Sequence, residues 1–182
     1  MVWFTSDLHL NHDRDWLWGP RGFSNVHEMN EQIIKNFNSV LSYEDHLFIL
    51  GDLMLCDNSA ISLIKQINAK IHVIRGNHDT DTRLELYKDC YNIVEICEAK
   101  YFKYNGHHFF LCHFPTLVSN WSDDKNFKSR MINLCGHTHT EDKFKDFDKG
   151  LIYHVEVDAH NCFPVNLDTI LEEIKEEYDK RI

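Results

Sequence analysis

The chain has 182 residues, of which 43% are hydrophobic, and this composition predicts one domain with a single sizeable core over residues 1–182. The formal net charge is -10, from 29 acidic and 19 basic residues. This balance argues against an extended nucleic-acid-binding face and implies that an anionic substrate needs local positive charge. No stretch reaches the ~20 apolar residues of a membrane-spanning helix, so no membrane partner is expected.

The first half of the chain alternates short apolar strands with amphipathic helices. VWFTS, HLFIL and KIHVI predict three buried strands, each followed by a polar loop. Between the first two, a helix is predicted with Asn25 as its N-cap and with Met29, Ile33 and Phe37 facing inward. DNSAISLIKQI predicts a second helix. This alternation favours parallel strands with helices on both faces of the sheet.

The second half changes character. AKYFKYNGHHFFLCHFP predicts a hairpin that turns at Asn105-Gly106. MINLCGHTH and LIYHVEVDA predict two further strands, and NLDTILEEIKEEYDKRI predicts a C-terminal helix with a charged outer face. Because no repeat, low-complexity tract or linker separates the halves, both are expected to share one core.

Residues of metal-ligand type follow five of the predicted strands. Each group alone has an ordinary structural explanation, such as a turn, a helix cap, a solvated loop or a satisfied core histidine. Parallel strands bring their carboxyl ends to one edge of a sheet, however, so the five groups are expected to converge on one site. In the last group the two histidines would share one face if the chain is extended. In chain order the groups are Asp7-x-His9, Gly51-Asp52, Gly76-Asn77-His78-Asp79, His113 and Gly136-His137-x-His139.

Taken in order, the motifs SDLH, GDL, RGNHD, CHFP and CGHTH resemble those of the calcineurin-like metallophosphoesterase superfamily. The resemblance extends over nearly the whole chain, and the segments around SDLHLNH and VDAHNCFPVNLDTI are similar to those of its small bacterial and phage-type branch. It implies an α/β fold, a two-layered mixed β-sandwich flanked by helices, with a dinuclear metal site along one edge.

The resemblance also implies a role for each ligand, with Asp52 bridging two divalent ions. Mixed imidazole, carboxylate and amide ligands suit Mn, Fe, Zn, Ni or Co, of which Mn is the first expectation. A bridging carboxylate can hold two such ions ~3.5–4 Å apart. One ion would be held by Asp7, His9, Asp52 and His139, and the other by Asp52, Asn77, His113 and His137.

His78 has no ion in this scheme and would act as the general acid, protonating the leaving alkoxide after attack by a metal-bridging hydroxide. The chain departs from some family members at Leu55, where they carry an aspartate that orients this histidine. Asp57, Asp79 or a backbone carbonyl is therefore expected to orient it. Cys112 stands where many members have glycine, which is interpreted as a change in packing.

Two segments, residues 14–24 and 116–130, could overhang the site, and both combine arginine with tryptophan. This combination suits stacking of a base together with pairing to phosphate. The alternatives are that the segments only cover the sheet edge, that the aromatic residues belong to the core, and that an arginine at a strand end is held in an ion pair. The candidate phosphate ligands are Arg14, Arg21 and Arg75, and the candidate stacking residues are Trp16, Trp18, Phe23 and Trp121.

Together these features predict a metal-dependent phosphoesterase that hydrolyses a phosphodiester or phosphomonoester, with a nucleotide or an oligonucleotide end as the expected substrate. Two alternatives remain open: a non-catalytic scaffold of the same fold, and a metal-binding sensor that needs the ligands but no acid. Six cysteines at irregular spacing, without a C-x-x-C pair, predict reduced thiols in a cytoplasmic protein. His12, His107, His108, His154 and His160 are interpreted as surface or structural residues, with His160 the first candidate exception.

Overall fold

Two β-sheets form the centre of the molecule in the computed structural model, which describes residues 1–55, 57–117 and 127–181. The five-stranded sheet has the order β4-β3-β2-β1-β9 and the four-stranded sheet the order β5-β6-β7-β8, each numbered along the chain. The strands of the first sheet are β1 (Val2–Thr5), β2 (His46–Leu50), β3 (Lys70–Ile74), β4 (Ile93–Cys97) and β9 (Val165–Asn166). Those of the second are β5 (Lys100–Tyr104), β6 (His107–Leu111), β7 (Met131–Cys135) and β8 (Leu151–His154).

The direction of the strands determines which loops lie at the same edge of each sheet. Strands β1 to β4 are parallel, and β9 runs antiparallel to β1. In the second sheet β5 and β6 form the predicted hairpin, turning at Asn105 and Gly106, whose φ angles are 49° and 85°. Strands β6, β7 and β8 are parallel to one another. The loops that follow β1, β2 and β3 therefore leave the first sheet at one edge, and those after β6 and β7 leave the second sheet together.

The helices follow the predicted periodicity where they are long. The predicted N-cap of α2 is present: the Asn25 side chain accepts a hydrogen bond from the Glu28 N–H, and Met29, Ile33 and Phe37 are buried. Helix α1 lies in a segment predicted as a loop, and helix α4 in a segment for which no element was predicted, because one or two turns carry little periodic signal. The helices are α1 (Asp15–Trp18), α2 (Val26–Val40), α3 (Asp57–Ile64), α4 (Asp81–Tyr87) and α5 (Leu167–Arg181).

The first sheet separates two layers of core. Leu47 and Ile49 of β2 pack with α2 and α3, whereas Phe48 and Leu50 point to the opposite face and pack with residues of the second sheet. The C-terminal helix α5 contributes to this second layer. The expectation of helices on both faces is thus corrected, because the second sheet covers most of the face that α2 and α3 leave free. The β-sandwich that the resemblance implied is confirmed.

The cysteines and the helix lengths bear on the predicted environment of the chain. Five cysteines are free thiols, and Cys56 lies outside the described residues. The reducing compartment inferred from cysteine spacing stays a prediction. Within the described ranges, none of the helices has both the length and the apolar character needed to cross a bilayer.

The stack of aromatic rings between the sheets gives a test of the sandwich. Phe109 is fully buried, and its ring centroid lies 4.9 Å from that of Phe102. Phe109→Ala should lower the free energy of unfolding by about 3–5 kcal/mol, because it removes apolar contacts and leaves a cavity. Urea unfolding measures this loss. Phe163→Ala is the control, since that side chain is 38% exposed, and similar losses for both variants would contradict the assigned core.

Candidate metal centre

The loops after five strands meet in the manner predicted from the sequence. The Asp7 N–H donates to the Gly51 carbonyl at 3.0 Å, and the His9 N–H donates to the Asp52 carbonyl at 2.9 Å. The loops after β6 and β7 are joined in the same way, by a 2.9 Å bond from the Gly136 N–H to the His113 carbonyl. All seven predicted metal ligands lie in or beside these joined loops.

Three ligands form a first group of donor atoms around a common point. His9 Nε2 lies 3.2 Å from His139 Nε2, and Asp7 Oδ1 lies 3.9 Å and 3.7 Å from these two nitrogens. One donor atom from each residue falls within 4.8 Å of the others, as ligands of one ion would. Asp7 is fully buried and His9 is 1% exposed, whereas the His139 side chain is 31% exposed, so the group is accessible to solvent on the His139 side.

A second group lies beside the first. Asn77 Oδ1 is 2.9 Å from both His113 Nε2 and His137 Nδ1, and these two nitrogens are 3.2 Å apart. Asp52 lies between the groups, because its Oδ2 atom is 3.6 Å from His9 Nε2 and 3.6 Å from His113 Nε2. This is the position that a bridging carboxylate would occupy.

The chemistry of the first group fits a cation. One Asp7 oxygen, Oδ2, accepts hydrogen bonds from the Ser6 hydroxyl and the His137 N–H, whereas the buried Oδ1 has no partner among the described residues. Burial raises the pKa of Asp7 to about 6, although the nearby His113 and His139 act to lower it. A buried carboxylate oxygen without a donor is costly, and a divalent ion would satisfy it.

His9, in the same group, is in the neutral form that binds metals. Burial, with the nearby His139 and Arg21 acting in the same direction, lowers the pKa of His9 to about 2. The imidazole is therefore neutral, as metal coordination requires. Asp7 and His9 together fit a divalent transition ion better than they fit a solvated polar loop.

The backbone at these ligands differs from the expectation of an extended His-x-His segment. His137 and His139 have φ angles of 77° and 49°, and Asp7, His9 and Asp52 have φ angles of 57°, 49° and 56°. In this left-handed conformation the two histidines do not aim at one point. His137 turns toward the second group and His139 toward the first, so the segment supplies both groups.

Asp79 fixes the ends of β2 and β3. Its fully buried carboxylate accepts hydrogen bonds from the N–H groups of Asp52 at 2.8 Å, Gly76 at 2.9 Å and Leu53 at 3.3 Å. The Tyr87 hydroxyl of α4 donates a fourth bond at 2.6 Å. Asp79 was one of three groups expected to orient His78, but its oxygens are used in this network instead.

His78 stands next to the predicted bridging ligand. Its backbone N–H donates to Asp52 Oδ1 at 2.9 Å, and Arg83 donates to its carbonyl. Its ring lies edge-on to the His9 ring, with 5.5 Å between centroids. No side chain among the described residues hydrogen-bonds this ring, and the Asp57 side chain lies outside them. The backbone is thus held on both sides, while the ring packs against the His9 ring without a hydrogen bond in the described part of the chain.

Sequence reasoning missed an ion pair behind the first group. Asp158 Oδ2 lies 3.0 Å from His139 Nδ1, which directs His139 Nε2 toward Asp7 and His9. Both Asp158 oxygens also accept hydrogen bonds of 2.8 Å from Arg21. Burial alone would raise the pKa of Asp158, but the bonds from His139 and Arg21 outweigh it and hold this pKa well below its usual value.

A second buried network supports the GHTH segment. Glu156 Oε1 accepts a 3.0 Å hydrogen bond from the Thr138 hydroxyl and lies 3.1 Å from His154 Nδ1. His154 Nε2 lies 3.0 Å from Asp146. Burial would lower the pKa of His154, but these two carboxylates outweigh it and raise the pKa. Glu156 and Asp158 lie near the carboxyl end of the predicted strand LIYHVEVDA, and acids at a strand end were the signal that could have marked them.

Arg21 is not placed as the phosphate ligand expected from the sequence. Its side chain is 2% exposed, and it donates to Asp158 and to the carbonyls of Asp7 at 2.8 Å and Leu8 at 3.2 Å. Buried and paired, it holds the loop after β1 instead of facing solvent. Arg75 is likewise held, in ion pairs with Asp81 and Glu98.

The remaining substrate candidates are placed differently from one another. Trp16 is 59% exposed and its ring lies edge-on to His12, whose ring centroid is 5.4 Å from that of His9, so this tryptophan is near the site. Arg14 is exposed, whereas Trp18 and Phe23 pack against the core beside α2. Trp121 lies outside the described residues. His160 is structural, because its Nε2 lies 3.0 Å from the His154 carbonyl.

Comparisons with known proteins show the family from sequence and the fold from solved structures. The sequence model for the calcineurin-like phosphoesterase superfamily domain matches residues 2–155. An uncharacterized protein of Methanocaldococcus jannaschii is 33% identical over 178 residues, covering 96% of this chain and 91% of that protein. A protein of unknown function from Aquifex aeolicus superposes with a TM-score of 0.69 at 22% identity, over 100% of this chain and 99% of its own. A novel archaeal phosphodiesterase superposes with a TM-score of 0.51 at 18% identity, over 84% of this chain and 81% of that protein.

The Asp158 carboxylate should control metal affinity through His139. Asp158→Asn keeps the shape of the side chain but removes the charge, so His139 and Arg21 lose their anionic partner. We expect the affinity for Mn²⁺, measured by competition with a chelator, to fall about 10–100-fold. Asp89→Asn, an exposed position, is the control. Unchanged affinity in Asp158→Asn would remove the assigned positioning role.

Metal binding should release more protons at low pH. Below the pKa of Asp7, about 6, this carboxyl group carries a proton that a cation must displace, and His139 adds to the effect because Asp158 and Asp7 raise its pKa against the effect of burial. Affinity should therefore rise with pH through about 6 and level off only after His139, whose pKa is raised above its usual value, has also lost its proton. Calorimetric Mn²⁺ titrations at pH 5.5 and 7.5, each in two buffers of different ionisation enthalpy, measure the release. The same proton count at both pH values would contradict this assignment.

Proposed function

The chain belongs to the calcineurin-like phosphoesterase superfamily, and on that premise we propose that it hydrolyses a nucleotide-type phosphodiester or phosphomonoester with two divalent transition-metal ions. One observation carries the proposal. The Asp52 carboxylate has its Oδ2 midway between two groups of ligand-type atoms, while its Oδ1 accepts the backbone N–H of His78. A metal-bridging ligand and an acid are then adjacent, as hydrolysis of a phosphate ester requires.

The protein residues proposed to hold the ions are those of the two groups. Asp7, His9 and His139 would hold one ion, Asn77, His113 and His137 the other, and Asp52 both. Bound ions of this kind polarise phosphoryl oxygens and supply a nucleophile at neutral pH. Mn²⁺ is the first candidate because carboxylate and amide oxygens accompany the imidazoles, and Fe, Zn, Ni and Co remain compatible with the same ligands.

His78 would act on the leaving group. Hydrogen bonds made by its backbone N–H and carbonyl fix its position next to Asp52, while its ring has no hydrogen-bond partner among the described side chains. A ring nitrogen of His78 can therefore give its proton to the departing alkoxide oxygen and hydrogen-bond a phosphoryl oxygen before that transfer. Asp52 would contact both ions through its carboxylate and also accepts the backbone N–H of His78. The general acid and the nucleophile would therefore act on the same phosphorus atom.

The site favours an enzyme over the two alternatives. A scaffold of this fold needs neither the buried ligands nor a free histidine, and a metal sensor needs no acid. The retained ligand set and the His78 ring, which lacks a hydrogen-bond partner among the described residues, support catalysis. A small nucleotide or an oligonucleotide end is proposed as the substrate because Trp16 exposes an aromatic face near the site and the net charge disfavours a long nucleic-acid track.

Turnover of p-nitrophenyl phosphate and bis(p-nitrophenyl) phosphate tests the proposal directly. Protein treated with chelator and then given Mn²⁺ should hydrolyse at least one ester, and elemental analysis should find two ions per chain. Asp52→Ala should lose activity and both metals together, because the substitution removes the shared ligand. No turnover with any of the five candidate metals, despite two bound ions, would favour the sensor, and no bound ion would favour the scaffold.

His78 should matter for chemistry and not for metal binding. His78→Ala should retain its ions, while kcat for an ester with a poor alkoxide leaving group falls about 10²–10⁴-fold. The loss should shrink with p-nitrophenolate, which leaves without protonation. His27→Ala, at an exposed position on α2, is the control. Equal losses over a series of leaving groups would limit His78 to positioning the phosphate.

A further inference from the structure

A polar cavity of about 520 Å³ lies behind the first ligand group. His139 forms part of its wall, so the same imidazole faces the ligands through Nε2 and contacts Asp158 of the cavity wall through Nδ1. Of the seven proposed ligands, His139 is the one in the described wall of the cavity, so the cavity adjoins the metal centre at this ring. The volume is within the range of pockets that hold small organic ligands, roughly 300–1,000 Å³.

The charges of the cavity exclude a second phosphate. Among the described residues of its wall, Arg21 is the only lysine or arginine. All five N–H groups of Arg21 are used, by Asp158, by the Asp7 and Leu8 carbonyls and by the Met29 sulfur. Glu141 adds a negative charge that has no ion pair within the described ranges. An anionic group placed here would meet carboxylates without a free cation.

The polar groups of the cavity suit an uncharged ligand that donates hydrogen bonds. The Gln32 side-chain N–H donates to Asn36 at 2.6 Å, and Asn36 donates to the Cys162 carbonyl at 3.1 Å. This pair of bonds fixes the Gln32 amide and leaves its carbonyl oxygen unpartnered in the part of the chain that the structure describes. Phe23 adds an aromatic surface to the same wall.

We propose that this cavity binds the nucleoside portion of the substrate and selects against esters that carry another phosphate on that portion. The inference rests on the proposed function and specifies its substrate class. A nucleoside offers hydroxyl and base N–H donors for Gln32 and Glu141, a flat ring for Phe23 and no charge. The phosphorus to be cleaved lies outside the cavity, on the metal side of His139.

Two diesters with the same leaving group test the selection. Thymidine 5′-(p-nitrophenyl phosphate) and ethyl p-nitrophenyl phosphate differ only in the group that the cavity would hold. The wild-type protein with Mn²⁺ should prefer the thymidine ester at least tenfold in kcat/KM. Gln32→Ala should reduce that preference about 3–10-fold, as loss of one hydrogen bond predicts, whereas Gln66→Ala, an exposed glutamine after α3, should leave the preference unchanged.

A third ester tests the exclusion of phosphate. Adding a 3′-phosphate to the thymidine ester should lower kcat/KM in the wild-type protein at least tenfold, and Glu141→Lys should recover several-fold of that loss. The proposal is overturned if wild-type protein turns over the diesters without preferring thymidine, if Gln32→Ala slows both diesters equally, or if the 3′-phosphate is tolerated.

A binding measurement separates this inference from the proposed function. Thymidine alone should shift the side-chain amide resonance of Gln32 in a ¹⁵N-labelled sample, with no turnover needed, and should leave that of Gln66 in place. Shifts without any ester hydrolysis would overturn the proposed chemistry and keep the cavity assignment. Hydrolysis without a Gln32 shift would overturn the cavity assignment and keep the chemistry.

Discussion

The candidate site depends on strand ends that approach more closely than side chains normally allow. A Cβ atom on Gly51 would overlap the His113 ring, and one on Gly136 would overlap the Ser6 side chain. With these glycines in place, the next residues enter the left-handed region, and five of the seven proposed ligands have positive φ. Such a backbone costs on the order of 1–3 kcal/mol per residue. The buried bonds to Asp79 and between the neighbouring loops hold the ligands there.

One short segment after β8 supports the GHTH histidines from behind. Asp158 orients His139 and is balanced by Arg21, while Glu156 holds Thr138 and is balanced by His154. The two acids therefore fix consecutive parts of the same loop, and each has a buried cation or imidazole as its partner. This arrangement supplies orientation without adding an unpaired charge to the core, which would be costly.

Local patterns predicted the parts of the structure that local forces decide. Helix α2 has a cap and a repeated apolar stripe, and the hairpin has Asn-Gly, so both were predicted correctly. Convergence of the five ligand groups followed from parallel strands alone. Helix α4 and the two-residue strand β9 were too short to give a periodic signal. The place of Arg21 depends on Asp158, 137 residues away, and no local pattern reveals a partner at that separation.

The proposed ligands are divided between the sheets: Asp7, Asp52 and Asn77 follow strands of the first, and His113 and His137 follow strands of the second. Ions held by both sets would cross-link the two sheets at one edge of the sandwich. Because the set is complete only at residue 139, a growing chain could not acquire its ions until most of it had been synthesised. Metal content would then report the assembly of both layers.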